Sequence, residues 1–97
     1  MDRPNFVFII ADQLLATALG FMGHPDVHTP HLDALSQRGR LYRNHIAQAP
    51  VCFPSRTAIM TGRMPHSNGA FNNLVGAGGH EISYVQLLAD AGYDCVS

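Results

Sequence analysis

The amino-acid sequence predicts an α/β fold in three layers, with helices on a parallel sheet. Three observations predict it. Phe6-Val7-Phe8-Ile9-Ile10 is continuously apolar and β-prone, the pattern of a strand buried on both faces. Helical stretches bounded by Thr/Pro starts and glycine stops follow it. The overall composition, 46% hydrophobic and 13% charged, is that of a packed chain and not a disordered one.

The elements are expected in this order. Residues 5–10 form an interior strand that ends at Ala11-Asp12-Gln13. Polar groups just past the C-terminal end of such a strand stand where α/β folds place ligands. Residues 14–19 are compatible with a short helix, and a Gly/His/Pro loop follows. Thr29-Pro30 opens a helix, with Thr29 as cap and Pro30 at the first helical position, and Gly39 stops it. Residues 40–46 read as an edge strand. Pro54 opens the next helix, 55–61, which Gly62 ends. Residues 63–80, rich in glycine, read as a loop. A last helix spans 83–91, with Tyr84, Leu87, Leu88 and Ala91 as its apolar stripe and Gly92 as its stop. A further strand is expected from Tyr93, with Cys95 in the core. A chain of 97 residues that closes on the start of a strand is expected to be the N-terminal part, 1–97, of a longer catalytic domain.

Formal net charge is −1, and no clustered basic face signals nucleic acid. All six basic residues are Arg, the cation that suits planar oxyanions. Two distant cysteines, Cys52 and Cys95, do not make a disulfide framework. The apolar run at the N-terminus is too short for a signal core or a membrane span, so a cytoplasmic protein without a membrane partner is expected. His24, His28 and His31 have approximate zinc spacing. The intervening Pro25 and Pro30 and the lack of paired Cys argue against zinc.

Cys52 carries the chemical signal. It is followed at once by a helix N-terminus bearing Pro54, Ser55 and Arg56, and that end offers free N–H groups and partial positive charge to an anion. By position alone, an inert buried cysteine is the competing reading.

The longer pattern Cys52-x-Pro54-Ser55-Arg56-x-x-x-x-Thr61-Gly62-Arg63 resembles the signature of type I sulfatases, members of the alkaline phosphatase superfamily. Arg3-Pro4-Asn5 with the following apolar run and Ala11-Asp12-Gln13 looks like that family's opening strand and first metal ligands. Thr29-Pro30-His31-Leu32-Asp33-Ala34-Leu35 and Leu87-Leu88-Ala89-Asp90-Ala91-Gly92-Tyr93 resemble two later family segments, in the family's order. The resemblance implies an alkaline phosphatase-like three-layer sandwich. It also implies that Cys52 is converted by a formylglycine-generating maturation enzyme. One hydroxyl of the hydrated aldehyde then attacks the sulfur of a sulfate ester, and the second expels sulfate from the covalent sulfo-enzyme.

By the same resemblance Arg56 holds the hydrated aldehyde. Asp12, Gln13 and the residue made from Cys52 bind a divalent metal, calcium by the chemistry of oxygen donors. His66 and Asn73 lie at the substrate, a small sulfate ester or a sulfated glycan. Asn72 and Asn73 read equally as turn residues, and His66 as a surface loop histidine. Many family members carry a second Asp where Gln13 stands, and the neutral amide removes one negative charge from the metal site. Some phosphonate monoester and phosphodiester hydrolases of the superfamily share an Asp-Gln pair, so that activity is the alternative. A catalytically inactive piece that only binds is another. The family's later Lys, His and second ligand pair are not in these 97 residues, which are therefore expected to be inactive alone.

Overall fold

A computed structural model describes residues 3–97. Two compact units divide them, one up to Arg43 and one from Asn44. Neither contains a β-strand among the described residues.

In the first unit, helix α1 spans Pro30–Arg38 and packs against a 3-10 turn, Gly20–Met22. Pro30 starts α1 and Gly39 ends it, as the sequence predicts. Thr29, however, does not cap α1. Its hydroxyl donates to Asp33 Oδ1 at 2.7 Å and accepts from Gly20 N–H at 2.9 Å. Asp33 Oδ1 also accepts from Phe21 N–H at 3.1 Å. The Thr29–Asp33 pair instead turns outward and satisfies N–H groups of the 3-10 turn. A glycine is required at the contact. A Cβ on residue 20 would lie 2.8 Å from Asp33 Oδ2 and 3.1 Å from Thr29 Oγ1.

In the second unit, α2 (Cys52–Thr61) packs against the one-turn α3 (Pro65–Asn68) and against α4 (Tyr84–Asp90). Gly62 ends α2 in the left-handed region, at φ 67°. Ser83 caps α4 by accepting from Gln86 N–H at 3.1 Å. At its far end Gly92 N–H donates to the Ala89 carbonyl and Tyr93 N–H to that of Leu88. This paired closure needs a positive φ at its turn residue, and Gly92 supplies 85°. The buried residues are few: Pro54, Ala58, Asn68 and Ala70.

Several expectations are corrected. Residues 5–10 are in no strand, and Phe6 and Val7 are 64% and 86% exposed. A strand exists only through a neighbour, and no strand among the described residues pairs with it. The stretches 40–46 and from 93 on are irregular for the same reason. Residues 14–19 hold a turn, closed by Ala18 N–H on the Leu15 carbonyl, and no helix. Helix α2 begins at Cys52, three residues before the predicted start, because Pro is tolerated throughout a first turn whose N–H groups have no intrahelical acceptor. Segment 63–80 contains α3. Leu87 is exposed because the seven-residue α4 turns only part of its apolar stripe inward. Cys95 is exposed and not core. No described helix is long and apolar enough to cross a membrane.

Gly20→Ala is expected to cost about 1–3 kcal/mol, since the Asp33 carboxylate it meets is held by its own bonds. Faster hydrogen exchange at the Phe21 amide, with α2 amides unchanged, checks it.

Candidate functional site

Cys52 is the first residue of α2 and is exposed. The residue before it, Val51, is extended and has no side-chain group able to cap. The first intrahelical bond runs from Ser55 N–H to the Val51 carbonyl at 3.1 Å. Pro54 lacks an N–H, which leaves Phe53 as an orphan donor beside the cysteine. Asn73, twenty residues on, takes it: Phe53 N–H donates to Asn73 Oδ1 at 2.9 Å. Arg56 follows one turn later and is exposed. Asn73 thus meets the first turn of α2, which Cys52 opens, and Arg56 lies one turn further along.

The loop that brings Asn73 there hangs on a buried amide. Asn68 is 2% exposed. Its Nδ2 donates to the Arg63 carbonyl at 2.9 Å and to Thr61 Oγ1 at 3.5 Å, and its Oδ1 accepts from Ala70 N–H at 2.9 Å. Its own carbonyl accepts from Gly78 N–H at 3.1 Å. Arg63 reinforces the turn by donating to the Ser67 carbonyl at 2.9 Å and to Glu81 Oε1 at 2.7 Å. The Glu81 side chain is 6% exposed and the Arg63 side chain 47%. The Thr-Gly-Arg half of the signature therefore builds a scaffold. Asn72 makes a local turn, accepting from Leu74 and Val75 N–H at 2.8 and 2.9 Å. The turn expectation for this asparagine pair holds for Asn72, and Asn73 is the cap.

His66 is exposed on α3. Asp12 and Gln13 lie in the first unit and are exposed. Gln13 has φ 51°, the only positive φ among described non-glycine residues. That region is sparsely populated and costs of order 1–3 kcal/mol, and such strain clusters at functional sites. A carboxylate and a carboxamide side by side supply oxygens that suit a hard divalent cation, although two side chains are fewer than the six to eight oxygens calcium takes. No group of three or more His, Cys, Asp or Glu among the described residues is placed to hold a metal.

Sequence reasoning missed Asn68, Glu81 and the capping role of Asn73. Val51 has no side-chain acceptor, but it is the cap position only because the helix starts at Cys52, three residues before the predicted start.

Comparison with known proteins points one way. The Sulfatase family model matches residues 4–96. An ulvan-active sulfatase of Formosa agariphila is 37% identical over 95% of the chain, a span that is 18% of that protein. Mouse steryl-sulfatase is 41% identical over 93% of the chain, 16% of its own length. Human arylsulfatase A is 36% identical over 93% of the chain and 19% of its length. The chain thus spans about a fifth or less of these relatives. No solved structure matches it significantly.

Asn68→Ala is expected to cost about 2–4 kcal/mol, because it strands the Ala70 N–H and the Arg63 carbonyl in a buried place. Denaturant melting measures it, and Asn72→Ala, at an exposed local turn, is the control with a loss below about 1 kcal/mol.

Proposed function

The chain belongs to the sulfatase family, and from that premise we propose that the protein to which it belongs hydrolyses sulfate esters, with Cys52 as the precursor of its nucleophile. The supporting observation is the first turn of α2. It sets Cys52 on a helix N-terminus, where N–H donors and the helix dipole favour an anion.

On this reading Cys52 is oxidised to formylglycine by a maturation enzyme. One hydroxyl of the hydrated aldehyde would attack sulfur as the ester's alcohol leaves, and loss of the proton from the second would re-form the aldehyde as the C–O bond to sulfate breaks. Arg56, one turn along α2, holds the hydrated aldehyde and offsets the charge of the sulfate group. His66, exposed on α3, would contact substrate. Asp12 and Gln13, with the residue made from Cys52, would hold a divalent metal, calcium by donor chemistry. That ion supplies polarisation of the ester oxygens and activation of the nucleophile. The backbone strain at Gln13 supports a functional role there. We also propose that residues 5–10 form the interior strand of an alkaline phosphatase-like sandwich. An apolar segment this exposed gains from cover on both faces.

Two predictions follow for the full-length protein. Cys52→Ser should accumulate a sulfated serine, seen as a mass increase, without steady turnover, because serine attacks but has no second hydroxyl. Cys95→Ala should keep most activity, since Cys95 is an exposed thiol outside the helices. Multiple turnover by Cys52→Ser would refute the mechanism, and turnover of phosphonate monoesters alone would move the substrate class.

Gln13→Gly should act with opposite signs on stability and function. It relieves the left-handed strain, worth about 1–2 kcal/mol before the extra chain entropy of glycine is set against it, and it would remove a metal ligand. Denaturant melting and calcium titration calorimetry read the two effects separately.

A further inference from the structure

We propose that Asn73 is a positioning residue. Its side-chain oxygen is the N-cap that α2 cannot supply for itself, and through that bond it fixes where Cys52 stands. The proposal rests on the reading of Cys52 as nucleophile precursor and gives Asn73 a role through the helix in place of direct substrate contact.

A Ser, Thr, Asp or Asn usually occupies the N-cap and accepts from an N–H two or three residues on. Here that position holds Val51, with no acceptor in its side chain. Phe53 N–H, two residues past Val51, is the donor a native cap would have taken, and Asn73 Oδ1 takes it at 2.9 Å. Pro54 removes the next donor. A distant asparagine therefore completes the turn in which Cys52 is the first residue, and an acceptor-free side chain stands next to the nucleophile where a polar cap would otherwise crowd it.

The cap is held in turn. Asn72 fixes the backbone after Asn73 through Leu74 and Val75. Asn68 anchors the loop's two sides, through Ala70 N–H before Asn73 and Gly78 N–H after it. Because the Asn73 oxygen faces Phe53, its amide orientation is set by that bond.

The test uses Asn73→Ala, Asn73→Asp and Asn73→Ser with two readouts. Hydrogen exchange at the Phe53 amide should speed up roughly two- to thirtyfold in Asn73→Ala, the equivalent of a lost cap. Asn73→Asp, which retains an acceptor, should keep that amide protected. In the mature full-length protein, with an aryl sulfate as probe, Asn73→Ala should lower kcat about tenfold or more with KM nearly unchanged, as expected for a misplaced nucleophile, and Asn73→Asp or Asn73→Ser should restore part of kcat. Unchanged Phe53 exchange in Asn73→Ala overturns the cap. A raised KM with kcat preserved overturns positioning in favour of substrate contact. If Asn73→Ala fails to fold, an unprotected Phe53 amide in folded Asn73→Asp overturns the proposal and a protected one supports it. If the unsubstituted protein turns over no sulfate ester, the proposed function falls, and Phe53 exchange still decides the cap.

Discussion

The second unit depends on one buried carboxamide. Asn68 is almost wholly enclosed, yet every polar atom of its side chain has a partner. An unsatisfied amide in that place would cost more than the bonds gain over water, so the surrounding turns have one arrangement that serves it. The Arg63 carbonyl must face it from the end of α2, and the Ala70 N–H must face it from the start of the loop. Those two demands fix the angle at which the chain leaves α2 and returns beneath it. Apolar burial is modest here, with Pro54, Ala58 and Ala70 as its main members. Directional bonds therefore carry the specificity that a larger core supplies elsewhere.

Helix ends were the most legible feature of the sequence. Pro30 and Gly39 bound α1, Gly62 stops α2, and Ser83 and Gly92 bound α4, as local chemistry dictates. These signals act within a few residues, through φ preference or a missing N–H. Strands were not legible in the same way. Phe6-Val7-Phe8-Ile9-Ile10 has the composition of a buried strand, but a strand is a relation between two segments, and composition describes one. The family resemblance, in contrast, held across nearly the whole chain, because a signature records side chains and not their partners.

The candidate site was legible by identity and opaque by arrangement. Cys52, Arg56 and Asn73 were all named from the sequence, Asn73 as a substrate contact, and the structure shows Asn73 bonded to the first turn of α2. The start of α2 was misplaced because Pro54 was read as the first helical residue, whereas a first turn accepts proline anywhere. The Asn73 contact spans twenty residues, beyond the reach of any capping rule that counts positions. With the start read at Pro54, Val51 was not recognised as the cap position, and its lack of an acceptor became apparent only in the structure.

The signature itself divides by physical role. Its first half, Cys52-x-Pro54-Ser55-Arg56, places reactive and charged groups on the exposed start of a helix. Its second half, Thr61-Gly62-Arg63, is spent on structure: Thr61 Oγ1 accepts from Asn68 and donates to the Thr57 carbonyl, Gly62 takes the left-handed turn, and Arg63 ties Ser67 to Glu81. The halves lie at opposite ends of α2, yet they are coupled through the loop they share. The turn after Gly62 sets Asn68, Asn68 sets the path of residues 70–78, and that path delivers Asn73 to the Phe53 amide. The chain that leaves the C-terminal turn of α2 thus also supplies the cap of its N-terminus. Motif spacing is then more than a record of chemistry. Ten residues of helix set the distance that the returning loop spans in this chain.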